Sequence, residues 1–136
     1  MTNERLLEEE LSRSILGGFF EVYNGLGPGY LECLHLAALE REMILRGHRV
    51  AREIAVRVFY KGYEIGSQRL DMVVEDAIVI EAKSTPELHK NATRQLFSYL
   101  RATNFEVGLL LHFGREPHFY RVVCENRLKQ HSQGHP

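Results

Sequence analysis

Apolar residues recur at helical spacing in two stretches near the start of the chain. The first stretch covers residues 5–23 and is ended by the glycine- and proline-rich residues 25–29. The second covers about residues 30–46, and Gly47 lies just past its end, where a left-handed helix cap is common. The pattern therefore predicts two consecutive helices.

The next segment alternates between apolar and polar residues, which is typical of β-strands. It predicts three strands, at residues 54–60, 69–74 and 77–83. The first connection begins at residues 61–62 and is expected to reach residues 65–66, and the second is residues 75–76. Connections this short favour an antiparallel meander.

A third helix and two final strands complete the predicted order. The helix follows Pro86 and covers about residues 87–103, and the strands cover residues 107–113 and 119–123. The order α-α-β-β-β-α-β-β predicts an α/β protein. We expect a single domain over residues 1–130 and a flexible tail at residues 131–136.

Length and composition agree with a globular protein and argue against several other classes. The chain has 136 residues, of which 44% are hydrophobic and 26% charged. No apolar run approaches the ~20 residues that cross a bilayer, so no membrane partner is expected. The acidic N-terminus lacks the pattern of a signal peptide. Cys33 and Cys124 make no disulfide framework, which favours a reducing cytoplasm.

Acidic and basic residues interrupt the predicted core strands in the run LDMVVEDAIVIEAKS, residues 70–84. Glu81 and Lys83 are two residues apart and therefore share one face of their strand. Asp71 lies on the neighbouring strand, where a tight turn would bring it beside Glu81. A salt-bridged patch on a solvated face is one interpretation. However, the apolar run 77–80 suggests a strand covered on both faces, where charges are rare unless they are paired or bind a metal.

Two helices add polar residues to this set. Glu32 begins an apolar row on the second helix, and Gln95 is the polar exception on the predicted inward stripe of the third. Glu32 alone could be a first-turn acid that suits the helix dipole, and Gln95 alone could be a core amide with satisfied hydrogen bonds. Together they are expected to face the strand that carries Glu81.

Clustered acids of this kind favour a bound cation. Two carboxylates about 5 Å apart repel by about 3 kcal/mol at an effective dielectric near 20. Lys83 supplies only one positive charge, and oxygen ligands favour a hard ion such as Mg²⁺ or Mn²⁺. The chain has a net charge of −1. Nucleic-acid binding would therefore need a local basic patch, or a metal ion that reverses the sign of an acidic site.

These residues resemble the PD-(D/E)XK nuclease superfamily, whose pattern is an Asp followed by a strand that carries Glu-x-Lys. Here the pattern is Asp71 and the run Glu81-Ala82-Lys83. The resemblance implies a restriction-endonuclease-like α-β-β-β-α-β core, with a mixed central sheet flanked by helices and an extra N-terminal helix. More closely, the chain resembles the small GxxExxY family within that superfamily. The blocks that carry this resemblance are LGPGYLE (26–32), VFYKGYEIGSQRLD (58–71), VIEAK (79–83), QLFSYL (95–100) and LLLHFG (109–114).

The resemblance also implies a role for each residue of the acidic cluster. Asp71 and Glu81 would be metal ligands together with the backbone carbonyl of Ala82. Glu32 would be an additional ligand, either directly or through water. Lys83 would orient the attacking water or stabilise the charge that develops on the phosphate.

Three more positions match, or depart from, the family patterns. Gln95 matches a helix glutamine often found in the sites of this superfamily. Gly29 and Glu32 match the first two letters of GxxExxY, but His35 stands where that motif has tyrosine. His35 would either pack in the interior or contact the substrate or a metal ligand.

The function expected from these residues is metal-dependent hydrolysis of phosphodiester bonds. DNA is favoured over RNA because the superfamily mostly cuts DNA. Arg69, Lys90 and Arg94 are the predicted substrate contacts, although ordinary solvated charge also explains them. The alternative is a non-catalytic module that keeps the fold and binds nucleic acid or protein as a subunit of a larger complex. Dimerisation that builds a longer nucleic-acid track stays open.

Overall fold

A computed structural model describes residues 3–129, with the side chains of residues 8–129. The order of its main elements confirms the predicted order. They are α1 (Asn3–Leu26), α2 (Glu32–Leu45), β1 (Val50–Tyr60), β2 (Tyr63–Val74), β3 (Ile78–Lys83), α3 (Ala92–Arg101), β4 (Val107–Phe113) and β5 (Pro117–Val123), followed by a short 3₁₀ helix, Asn126–Leu128. The predicted tail, 131–136, lies outside the described residues. Among the helices that are described, none has the length and apolar character needed to cross a membrane.

The five strands form one mixed sheet in the order β1-β2-β3-β4-β5. Neighbouring strands are antiparallel except β3 and β4, which are parallel and are connected through α3. A parallel pair needs such a crossover because its strands start at the same edge of the sheet. The predicted meander of β1, β2 and β3 and the predicted mixed sheet are confirmed.

Helices cover both faces of the sheet. On one face, α1 and α2 pack against β-strand residues that include Met72, Ile80 and Leu109. On the other face, α3 packs against residues that include Val79 and Leu110. Because β3 and β4 contribute to both cores, every residue of β4 is buried and β3 is buried up to Ala82. This explains the near-continuous apolar runs of these strands.

The hairpin between β1 and β2 is tighter than the sequence suggested. Its turn is only Lys61-Gly62, and both residues have a positive φ, 50° and 84°. Turns with two left-handed residues match the right-handed twist of the strands, so β2 begins at once with Tyr63. The expectation that the connection reaches residues 65–66 was wrong.

The third helix is shorter than predicted, because it begins at Ala92 instead of residue 87. Local hydrogen bonds compete with helix formation here. The Thr85 hydroxyl donates to the Glu87 carbonyl at 2.7 Å, and the Asn91 amide donates to the ring of His89 at 3.1 Å. Residues 84–91 are therefore irregular, and they lie beside the end of β3.

Alanine at Gly114 should destabilise the protein. A Cβ atom at this position would lie 2.5 Å from the ring of buried His112 and 2.9 Å from the carbonyl oxygen of Pro86. We expect Gly114→Ala to lower the free energy of unfolding by about 1–3 kcal/mol, measured by urea denaturation. The control is Gly25→Ala, in α1, where a Cβ meets nothing within 4 Å. Equal effects of the two substitutions would contradict this packing.

Candidate functional site

The candidate site lies where β2 and β3 separate. The ladder between these strands ends at the pair Met72 and Ile80. One step further, the Ala82 amide donates to a carboxylate oxygen of Asp71 at 3.1 Å. The side chain of Asp71 therefore accepts the hydrogen bond of a backbone donor at the point where the backbone of β2 no longer pairs with β3.

The backbone of β2 is irregular at Asp71. Leu70 belongs to the core on the α3 face, whereas Met72 belongs to the core on the opposite face. Residues two apart on a regular strand share a face, so β2 changes face between them. Glu53 lies between the β1 partners of these two residues and has a positive φ of 54°, which costs a non-glycine residue about 1–2 kcal/mol. Local distortion of this kind re-aims a side chain, here that of Asp71.

Glu81 is the most deeply buried acid of the site. It is 4% exposed, and its Oε1 atom has no hydrogen-bond partner within the described residues. Burial raises the pKa of Glu81 to about 8, and the negative charges of Asp71 and Glu32 also raise it. Lys83 opposes the rise. An unsatisfied, buried carboxylate oxygen is rare in proteins and needs an explanation, which a bound ion or water would supply.

Glu32 and Asp71 share this electrostatic environment. Glu32 lies in the first turn of α2, just after Gly29, whose φ of 96° suits glycine. Burial raises the pKa of Glu32 and the charge of Asp71 raises it further, whereas Lys83 lowers it. Burial also raises the pKa of Asp71, and the hydrogen bond from Ala82 and the charge of Lys83 oppose this. The three predicted acids and the predicted lysine therefore lie near enough for their charges to influence one another.

A cleft of about 440 Å³ opens beside these residues. Its lining includes Glu32, Lys83, Asn91 and Gln95. The Lys83 ammonium donates to the amide oxygen of Gln95 at 3.5 Å. The expectation that Gln95 faces inward was wrong, because its side chain is exposed at the edge of the cleft. It therefore contacts Lys83 from the solvent side.

The donor set fits a hard divalent cation that keeps part of its water shell. Among residues 8–129, no three His, Cys, Asp or Glu side chains already form a group that could hold a metal ion. Mg²⁺ rarely needs such a cage, because it is usually bound by one or two carboxylates, waters and substrate phosphates. The unpartnered Oε1 of Glu81 and the mutual repulsion with Asp71 are the features that an added cation would relieve.

The sequence of residues 9–122 matches the family model of the PD-(D/E)XK nuclease superfamily. The chain belongs to this superfamily. The matched region contains Glu32, Asp71, Glu81, Lys83 and Gln95. PD-(D/E)XK nucleases generally use divalent metal ions, and the mixed sheet with flanking helices and an N-terminal helix is consistent with their fold.

A solved structure supports the same fold. The crystal structure of SSO0001 is similar to this PD-(D/E)XK chain, with 26% sequence identity and a TM-score of 0.50. The similarity covers 64% of this chain and 48% of SSO0001. The chain thus accounts for about half the length of that protein. No curated protein matches the chain.

His35 is a buried structural residue of this PD-(D/E)XK chain. Its ring is 0% exposed and stacks on Phe113, with 4.0 Å between ring centroids. Its Nε2 donates to the Gly27 carbonyl at 2.9 Å, which leaves Nδ1 to accept from the Ser84 hydroxyl at 2.7 Å. Of the two alternatives that the sequence left open for His35, these contacts favour packing in the interior over contact with substrate. The ring instead ties the segment before Glu32 to the end of β3.

The basic residues predicted to contact substrate are all exposed, but they do not lie on one element. Lys90 lies in the turn before α3, so it does not share a helix with Arg94 as expected. Arg69 is ion-paired with Glu53 at 3.4 Å. None of these three basic residues is among the residues that line the cleft. Arg69 lies on β2, Lys90 in the loop before α3 and Arg94 on α3.

Sequence reasoning missed two residues that act on the acids. Burial raises the pKa of Tyr99, and the charges of Glu81 and Asp71 raise it further. Tyr99 lies on the buried face of α3, three residues after Leu96, so its place on the predicted inward stripe was a usable signal. Arg52 lowers the pKa of Asp71 from the neighbouring strand and is paired with Glu40 at 2.8 Å. No local pattern distinguishes it from an ordinary strand arginine.

The buried Glu81 makes stability depend on pH. Between about pH 5 and pH 8 the folded protein keeps the Glu81 proton that the unfolded chain has lost, because the pKa is raised from 4.5 to about 8. The folded state then binds more protons, so the free energy of unfolding falls as the pH rises. Without divalent metal, we expect Glu81→Gln to be more stable than wild type at pH 8. The free energy of unfolding of the variant minus that of wild type should be larger at pH 8 than at pH 5 by at least about 1.4 kcal/mol.

Urea denaturation at both pH values in EDTA measures this difference. Glu64→Gln is the control, because Glu64 is exposed on the hairpin. A pH dependence that is the same in wild type and Glu81→Gln would contradict the burial of a strained carboxylate.

Proposed function

We propose that the protein is a metal-dependent nuclease that hydrolyses phosphodiester bonds of nucleic acid, DNA in preference to RNA. We also propose that it is a GxxExxY member of its superfamily and works in the cytoplasm, where its two free cysteines would stay reduced. The observation that carries the proposal is the buried Glu81 beside the half-buried Asp71. Glu81 has an unpartnered oxygen, and Lys83 lies beside it at an open cleft.

Asp71, Glu81 and the carbonyl of Ala82 would hold Mg²⁺ or Mn²⁺, and Glu32 would add a ligand directly or through water. Support for the carbonyl comes from the strand geometry. The N–H of Ala82 points to Asp71, and the N–H and C=O of one strand residue point to the same side. When bound, such an ion lowers the pKa of water and counters the charge of the scissile phosphate.

Lys83 and Gln95 would act together on the substrate. An ammonium has three donors, and the contact with Gln95 uses one of them. The remaining donors can orient the attacking water or hydrogen-bond to a phosphate oxygen. Gln95 is a positioning residue in this proposal, since its amide oxygen holds the ammonium at the mouth of the cleft. Arg69, Lys90 and Arg94 would attract the nucleic-acid backbone.

Hydrolysis of labelled single- and double-stranded DNA and RNA in Mg²⁺, Mn²⁺ or EDTA tests the proposal. We expect cleavage in metal only, and a loss of at least about 100-fold in Asp71→Asn and in Lys83→Gln, because each removes a group that stabilises the reacting phosphate. The matched control is Asp76→Asn, in the β2–β3 turn, where asparagine tolerates the φ of 51°.

Three results would contradict the proposal. They are cleavage that persists in EDTA, cleavage that is indifferent to the Asp71 and Lys83 substitutions, and no cleavage of any substrate by a folded protein. Calorimetric titration with Mg²⁺ separates the last case further. Nucleic-acid binding with no heat of metal binding at millimolar Mg²⁺ would identify a non-catalytic binding module.

A further inference from the structure

The β1–β2 hairpin extends beyond the rest of the sheet. The ladder between β1 and β2 continues to the pair Tyr60 and Tyr63, whereas the ladder between β2 and β3 ends at Met72 and Ile80. Residues 54–70 therefore form a two-stranded arm, which we call the hairpin arm. It begins directly at Asp71, and its tip lies about 26 Å away along the strand.

The tip of the hairpin arm exposes apolar side chains. Tyr60, Tyr63 and Ile65 are 60%, 77% and 66% exposed. The two tyrosines are cross-strand partners, so their side chains leave the hairpin on the same face. The register shifts between Val58 and Phe59, which leaves Ile65 without a partner on β1. A two-stranded hairpin is only marginally stable in water, and these exposed rings add nothing to a core. Their position favours a binding role.

The charges of the hairpin arm complement a polyanion. Residues 54–70 contain three basic residues and one acid, although the whole chain has a net charge of −1. Two of the cations already lie beside aromatic rings: the Arg57 guanidinium is 5.5 Å from the centre of Phe59, and the Lys61 ammonium is 5.4 Å from the centre of Tyr60. Aromatic faces next to cations are the combination that binds unpaired bases and their phosphates.

We infer that the hairpin arm binds a single-stranded segment of nucleic acid next to the hydrolytic site, with bases stacked on Tyr60 and Tyr63 and phosphates near Arg57 and Lys61. This inference rests on the proposed function and specifies the strand that the site receives. A second copy of the chain fits the arm less well, because a symmetric contact would bring two positive tips together. Lysine and arginine on an edge hairpin also oppose edge-to-edge pairing.

Fluorescence anisotropy with a labelled single-stranded oligonucleotide in EDTA tests the inference without cleavage. We expect Tyr63→Ala to weaken binding about tenfold, which is within the range for the loss of one stacked base. The control is Tyr120→Ala, an exposed tyrosine on the opposite edge strand β5. Arg57→Gln with Lys61→Gln should reduce the slope of log Kd against log salt by about 1.4, because two phosphate contacts are lost.

Hydrolysis of bis(p-nitrophenyl) phosphate in Mn²⁺ separates the two proposals. This small diester is too short to reach the tip of the hairpin arm, so Tyr63→Ala should hydrolyse it at the wild-type rate, whereas Asp71→Asn should not. If the diester is hydrolysed but the oligonucleotide does not bind, or binds equally to Tyr63→Ala, the inference about the arm is overturned and the proposed function stands.

Two other outcomes would also overturn the inference. The first is tighter binding of a duplex of the same length that depends on the same tyrosines, because paired bases cannot stack on side chains. The second is a change in molar mass by light scattering when Tyr63 is replaced by alanine, because this would assign the arm to contact between two copies of the chain.

Discussion

The hydrogen bond from the Ala82 amide to Asp71 is the contact on which the site depends. It lies where β2 leaves β3, and it replaces a ladder bond that the separating strands no longer make. The same separation allows β2 to continue into the hairpin arm and opens the cleft beside β3. Asp71 can fill this position only because the backbone changes face there, opposite the left-handed Glu53. A local distortion of the sheet thus produces both the acid pair and the arm.

The site is arranged at a cost to stability. Glu81 is buried next to another acid, and burial contributes most to the rise of its pKa. Surrounding contacts keep the strained residues in place. His35 joins Ser84 to Gly27, and the buried His112 donates to the Thr85 carbonyl at 2.7 Å. Both histidines hold the segment that follows β3. This fixes the position of Lys83, the last residue of that strand. Strain at a functional site that the surrounding structure stabilises is a common compromise between stability and activity.

The two proposals divide the binding of nucleic acid between two surfaces. The cleft beside Lys83 is small, and its lining combines the acid Glu32 with Lys83, so it suits a single phosphate group together with a cation. The hairpin arm is basic and aromatic at its tip, and it can supply affinity that a chain with a net charge of −1 otherwise lacks. Affinity from a remote surface also orients the substrate at the reacting atoms, which is how binding energy contributes to catalysis.

The amino-acid sequence by itself determined the order of the helices and strands and the shared face of Glu81 and Lys83, because these follow from short-range periodicity, whereas the mixed sheet was expected from the resemblance to the PD-(D/E)XK superfamily. Only the tertiary structure decided the change of face at Asp71, the late start of α3 and the exposure of Gln95. It also decided that His35 is a buried link, because its partner Ser84 is 49 residues away along the chain. Periodicity reports the average face of an element. The change of face at Asp71 and the distant partner of His35 depend on how separate elements pack, and the late start of α3 depends on local hydrogen bonds that periodicity does not report.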